Sequence, residues 1–308
     1  MTNKLPIQKI IIITMLVGAF VAPVQARRRG GGGGDHTAKG VELARQKQYD
    51  AAISEFTKAI EADPKDPRAY TNRGTAYRAS GKFAEAMADF TKAIELDPKD
   101  FVGWTEKART ELTQNEFDTA LADATKATEL KPDDAAGFSL RGFAQIGLKQ
   151  WDKAVADFTT AIEKTPDDPQ NYDRRAWANR NLKQYDAAVA DYTLLVAKNP
   201  NDVESLVRRG LTYATKEDYE KAIADYEAAL KLKPEDYDTQ QRLLYARSML
   251  ASKNAPPPSA TPVPTPASEG LITPLNIGIA LGVILLLAVV IKLVTRGKAE
   301  PTSSTRIR

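Results

Sequence analysis

The sequence predicts an all-α solenoid of helix-turn-helix repeats followed by one C-terminal transmembrane helix. Three observations carry this expectation. One unit returns every 34 residues between residues 33 and 236, with a proline at each return: Pro64, Pro98, Pro132, Pro166, Pro200 and Pro234. Small and aromatic residues recur at fixed positions inside that unit. Near the C-terminus, residues 271–294 form an apolar stretch of about 24 residues, long enough to span a bilayer. A fixed period of this length marks a stack in which each helical pair buries its apolar face only against its neighbours. Function then belongs to a surface, not to an enclosed pocket.

Counted so that the proline is the thirty-second position, the units are 33–66, 67–100, 101–134, 135–168, 169–202 and 203–236. Each closes on an aspartate, just ahead of the next apolar run, where a side-chain oxygen can accept from the free N–H groups of a starting helix. Pro67 and Pro169 follow two of these caps in the first helical position, where a missing N–H costs nothing. The proline two residues before each cap ends the preceding helix. Position eight is small (Gly40, Gly74, Ala108, Gly142, Ala176, Gly210) and position twenty is alanine (Ala52, Ala86, Ala120, Ala154, Ala188, Ala222). The first set lies on one helix and the second on its partner, which predicts a close approach of the two backbones. Position seventeen is always aromatic (Tyr49, Phe83, Phe117, Trp151, Tyr185, Tyr219), and so is position twenty-four, with Ala124 the exception among Phe56, Phe90, Phe158, Tyr192 and Tyr226. These rings are the predicted core. The turn between the two helices is short and polar, as in Ser80-Gly81-Lys82.

With these residues in these positions, the sequence resembles the tetratricopeptide repeat, and the resemblance covers about two-thirds of the chain. It implies a right-handed superhelix whose first helices line a concave face. Departures are local: Glu111 and Gln145 stand where the family favours tyrosine, present here as Tyr77 and Tyr213. Residues 237–252, with Leu243, Leu244, Met249 and Leu250, look like the capping helix that a terminal repeat needs for solubility.

Outside the repeats the chain is modular. Residues 1–26 carry Lys4 and Lys9, an apolar run of about 13 residues and a small-residue close at Ala26, the layout of a cleaved secretory signal peptide. An uncleaved anchor is the alternative. An Arg/Gly-rich spacer follows at 27–34. Residues 253–270 are proline-rich and predict an extended stalk of roughly 50 Å. The span at 271–294 precedes a basic tail, 295–308, whose arginines and lysines predict a cytoplasmic side. The expected location is therefore a bacterial inner membrane, single-pass, with the repeats on the extracytoplasmic (periplasmic) side, and a eukaryotic single-pass protein is the alternative. Gly278 and Gly282 form a G-x-x-x-G pattern, which predicts pairing of two spans into a homodimer.

Composition narrows the function classes. Cysteine is absent, which removes disulfides, thiolate nucleophiles and cysteine metal sites. Residues 35–253 hold 33 basic against 38 acidic side chains, a net of −5, a poor match to a phosphate backbone, so no nucleic acid partner is expected. The single histidine, His36, has no acid or nucleophile spaced in sequence to work with it. Asp133-Asp134 and Asp167-Asp168 fall at helix caps and lack calcium-loop spacing. No P-loop, dinucleotide fingerprint or nucleophile elbow appears. Neither an enzyme nor a cofactor or metal site is expected.

What remains is recognition. In the resembled family the concave face draws on positions two, five, six, nine, twelve and thirteen, which here supply Arg109, Phe143, Ile146, Arg174, Trp177 and Arg180. A large ring on a solvated face asks for a ligand. Phe143, Ile146 and Trp177 are expected to seat an apolar side chain of a peptide or helix, and the arginines to fix its acidic groups. The alternative is that the apolar three pack against the next unit. The clamp by which some family members hold chaperone C-termini is not expected, because at the corresponding places only Asn72 fits. The expected function is a membrane-anchored scaffold for protein–protein interaction on the extracytoplasmic side. Binding of a cell-envelope polymer is the alternative.

Overall fold

The computed structural model describes residues 33–255. The leader, most of the spacer, the proline-rich segment beyond Ala255, the apolar span and the basic tail lie outside the described residues. Among the described residues no helix is long and apolar enough to cross a membrane.

Thirteen helices and no strand occur among the described residues. Six pairs follow the repeat: α1 (Gly33–Arg45) with α2 (Tyr49–Ala62), α3 (Pro67–Ala79) with α4 (Phe83–Leu96), and α5 (Phe101–Gln114) with α6 (Phe117–Leu130). Next come α7 (Ala135–Gly147) with α8 (Trp151–Lys164), α9 (Pro169–Asn181) with α10 (Tyr185–Lys198), and α11 (Val203–Thr215) with α12 (Tyr219–Leu232). The last helix, α13 (Tyr237–Asn254), stands alone. Gly33 and Gly34, assigned above to the spacer, lie inside α1, so the spacer ends two residues earlier.

At five of the six junctions the capping chemistry is as the sequence dictates, and at the sixth Asp236 accepts instead from the Thr239 hydroxyl at 2.9 Å. Asp66, Asp100, Asp134, Asp168 and Asp202 each accept from the backbone N–H two residues on. Within each pair, position fifteen sits in the left-handed region (Lys47, Gly81, Asn115, Lys149, Lys183, Glu217), and the next N–H bonds back to the carbonyl of position eleven. This is a six-residue C-terminal closure that turns the chain sharply into its second helix.

All six position-twenty alanines are fully buried, as are the rings of Phe90, Phe158 and Tyr192. Those rings show why position eight is small. A Cβ built on Gly40 would lie 2.6 Å from the Phe56 ring, and one on Gly142 3.0 Å from Phe158. The small residue therefore makes room for the ring of position twenty-four. The rings at position seventeen are only half-buried, except Tyr219. First helices of successive units also touch one another, α5 with α7 and α7 with α9, so through the third to fifth units they form one inner wall.

The end of the array departs from expectation. Thr239, Leu243 and Ala246 of α13 are buried, and the helix packs on α12. On the opposite side Tyr237, Leu244 and Tyr245 are 67%, 57% and 57% exposed, where a polar outer face was expected of a cap.

Candidate functional site

A charged ladder runs through the array and fixes which side chains are left for a ligand. Position seven is basic and position twenty-three acidic in every unit, and the two meet across the helix pair. Arg73, Arg141, Arg175 and Arg209 grip Asp89, Asp157, Asp191 and Asp225 through two nitrogens each, at 2.7–3.0 Å. In the first unit the acid is Glu55. It receives Lys39 at 3.0 Å and His36 at 2.7 Å, and hydrogen bonds from His36, Lys58 and Lys39 hold its carboxyl down at about 2. The reading of His36 as having no acid partner is thus corrected: Glu55 is distant in sequence, but the helical hairpin brings it alongside. The pairing is one more rung of the ladder.

The third unit is different. Lys107 replaces arginine and stands 2.5 Å from Asp123 and 3.3 Å from Glu111. Glu111 is only 2% exposed, and one of its oxygens has no hydrogen-bond partner. Burial, reinforced by the charge of Asp123 and opposed by Lys107, pushes its carboxyl up to about 7.

Beside this unit, on the inner wall, a groove of roughly 490 Å3 opens between α5, α7 and α9. Leu112, Leu140 and Phe143 line it, with Ser139 and Gln170, and Arg109 and Arg174 border it. Of the carboxylates at its ends, Asp134 caps α7 and Asp168 caps α9 while accepting from Asn171 at 3.0 Å, whereas Asp133 is fully exposed with Lys164 3.9 Å away. Two further arginines of the wall are neutralised by neighbours, whereas Arg180, whose Nε has no hydrogen-bond partner, is not. Arg78 bonds Glu106 at 2.8 Å, and Arg208 bonds Asp173 at 2.6 Å. Burial opposes the Arg208 charge, but Asp173 and Glu204 outweigh it and raise its affinity for the proton.

The two groove arginines lack such partners. Arg109 reaches only Glu106, at 3.4 Å, and shares it with Arg78. Among the described residues no carboxylate lies within 4.0 Å of Arg174. Its guanidinium stacks 4.8 Å over the Phe143 ring and donates to Gln170 at 3.2 Å, and its Nε has no partner. Burial lowers the proton affinity of Arg174, with Asp173 and Asp168 working against that and Arg109 adding to it. A bound carboxylate would relieve both arginines.

The sequence-predicted site therefore divides. Arg109, Phe143 and Arg174 come together in the groove. Ile146 is half-buried against Ala154, Phe158 and Ala178. Trp177 meets Trp151 edge-on, ring centroids 5.0 Å apart, at the seam between the fourth and fifth units. Arg180 sits beside Tyr192, whose hydroxyl is pushed up to about 12 by burial. Ile146 and Phe143 both pack against the cluster of Ala154, Phe158 and Ala178, which reaches into the next unit through Ala178, whereas Trp177 packs on the preceding unit. The ladder went unread, although its 34-residue recurrence is visible at positions seven and twenty-three.

The comparisons agree with the repeat architecture. Models of the tetratricopeptide repeat match residues 37–101 and 105–169, 170–202, and 203–236. The chain belongs to the tetratricopeptide repeat family. It is similar to tetratricopeptide repeat protein 36 of Caenorhabditis elegans, 52% identical over 44 residues, 14% of this chain and 25% of that protein. It is also similar to Hsp70-Hsp90 organizing protein 2 of Arabidopsis thaliana, 39% identical over 49 residues, 16% and 9% of the two chains. The chain thus spans a quarter or less of the length of these relatives. Among solved structures, pilF of Pseudomonas aeruginosa gives a TM-score of 0.61 at 17% identity, covering 69% of this chain and 97% of that one. YrrB, described as a TPR protein with an unusual peptide-binding site, gives 0.55 at 23%, covering 63% and 97%. At these identities the likeness shows the tetratricopeptide fold alone. Proteins of this family bind protein or peptide partners.

Proposed function

We propose that the chain is a membrane-anchored scaffold that holds its repeats on the extracytoplasmic side and captures an extended peptide in the groove between α5, α7 and α9. An apolar side chain of the peptide rests on Leu112, Leu140 and Phe143, and an adjacent carboxylate joins Arg109 and Arg174. The observation that carries this reading is the pair of under-neutralised arginines over an apolar floor. Topology rests on the leader at 1–26, the apolar stretch at 271–294 and the basic residues after it.

The test has two arms. A photo-crosslinking residue at Gln170 of the full chain in its native membrane should trap a defined protein, whose contact segment is then synthesised as a peptide. Arg174→Ala should weaken binding of that peptide by about tenfold or more, the loss of one charge-assisted contact, while Trp177→Ala leaves it unchanged. Equal affinity in wild type and Arg174→Ala, with helicity intact, would overturn the groove assignment. For topology, protease added to spheroplasts should digest the repeats and spare the basic tail. The reverse pattern would sink the orientation.

A further inference from the structure

The outer face of α13 is unlike any other surface of the array. In the six complete units, position eight of the first helix is a buried glycine or alanine covered by the antiparallel second helix. In α13 that position is Leu244, 57% exposed, and no further helix follows it among the described residues. The helix is also longer: 18 residues, against 13 in α11.

Along the exposed side, Tyr237, Gln241, Leu244, Ser248 and Ala251 alternate four and three residues apart, the spacing of a two-helix seam. All five are exposed and none is charged. Arg247 at the edge is turned to Glu227 of α12, at 2.7 Å. The pattern is close to symmetric about Leu244. Laid antiparallel on a copy of itself, it sets the Tyr237 ring over Ala251, Gln241 against Ser248, and Leu244 on Leu244. Laid parallel, it sets tyrosine on tyrosine at one end and alanine on alanine at the other, crowded and then gapped. Self-complementarity about one residue is what a two-fold interface requires.

We propose that α13 pairs antiparallel with α13 of a second copy of this chain, the partner helix lying where a second helix lies in each complete unit. One helix face is small beside the roughly 800 Å2 per partner of a standard interface, so the contact is weak unless the copies are held near each other. Pairing of the Gly278 and Gly282 segments would supply that proximity, and it is a separate contact with a separate test.

Because the chain has no cysteine, each introduced thiol reports alone. In the full-length chain in its membrane, mild oxidation of Leu244→Cys should give a disulfide-linked dimer. Tyr237→Cys alone should not, since antiparallel pairing separates the two thiols by roughly 20 Å at 1.5 Å per residue. Mixing Tyr237→Cys with Ala251→Cys should restore the crosslink. Glu220→Cys, exposed on α12, is the background. The result that overturns the proposal is either no crosslink at Leu244→Cys above that background or self-crosslinking of Tyr237→Cys. A second measurement uses the purified full-length chain in mild detergent. Leu244→Arg, whose side chain is exposed in one copy, should shift the mass from dimer towards monomer with unchanged helicity. A dimer fraction that Leu244→Arg leaves unchanged, together with no Leu244→Cys crosslink above background, would reject the α13 interface, and loss of that dimer on Gly278→Leu and Gly282→Leu would leave the glycine pairing standing.

Discussion

The third and fourth units share a fold and differ in what fills it. In the fourth, the Phe158 ring occupies the space left by Gly142, and Arg141 grips Asp157 with two nitrogens. In the third, Ala124 faces Ala108, both fully buried, and the charged rung is a lysine shared by two carboxylates, one of them Glu111. The comparison teaches that the 34-residue frame tolerates two kinds of interior. One is apolar with a closed ion pair. The other is smaller and holds a group that gains and loses a proton near neutrality. Because each unit leans only on its neighbours, the weaker interior sets a local limit on stability beside the groove.

The largest expected effect removes what the fourth unit has. Phe158→Ala empties a fully buried site and should cost about 3–5 kcal/mol in urea unfolding of the array. The third unit should respond to pH instead. Glu111 keeps its proton in the folded chain up to about 7, whereas an unfolded chain releases it near 4.5. The folded state then binds more protons, so stability present at low pH is lost as pH rises through that window. The difference between wild type and Glu111→Gln should change by on the order of 2 kcal/mol between those pH values, and a flat difference would show that the carboxylate is not so held.

Converting one interior into the other sharpens the contrast. Ala124→Phe alone overfills the third unit and should destabilise it by about 2 kcal/mol, and adding Ala108→Gly should recover part of the loss, since it recreates the glycine-and-ring layout of the fourth. The smallest effect concerns the caps. Asp134→Ala should cost about 1 kcal/mol, and Asp100→Ala somewhat more, because Asp100 also accepts from Thr71 at 3.2 Å. Equal losses would mean that this added bond contributes nothing.

Much of this was legible in the sequence because the features recur. Proline, aspartate, alanine and ring positions announce themselves by period, and the caps and the core follow from them. The inner wall was legible only in outline. Positions six and nine do face inward, which is why Arg109, Phe143 and Arg174 meet. Trp177 shares its position with Phe143, yet its ring finds Trp151 on the preceding second helix, a neighbour that no spacing within its own unit reveals. Glu111 was visible as a departure from tyrosine, but its proton affinity depends on Lys107 and Asp123 arriving from two helices at once. The exposed side of α13 was hidden for a related reason: amphipathic spacing names the face that is buried, not what lies across from the other.

The turns carry a last consequence. Five of the six hairpins place a residue with a side chain, three of them lysines, in the left-handed conformation that only Gly81 adopts without penalty. At roughly 1 kcal/mol of backbone strain each, these sites form an untapped thermal reserve. Replacing them with glycine one at a time would tune the melting point of the array by small, nearly independent steps, leaving its inner wall and its terminal helix as they are.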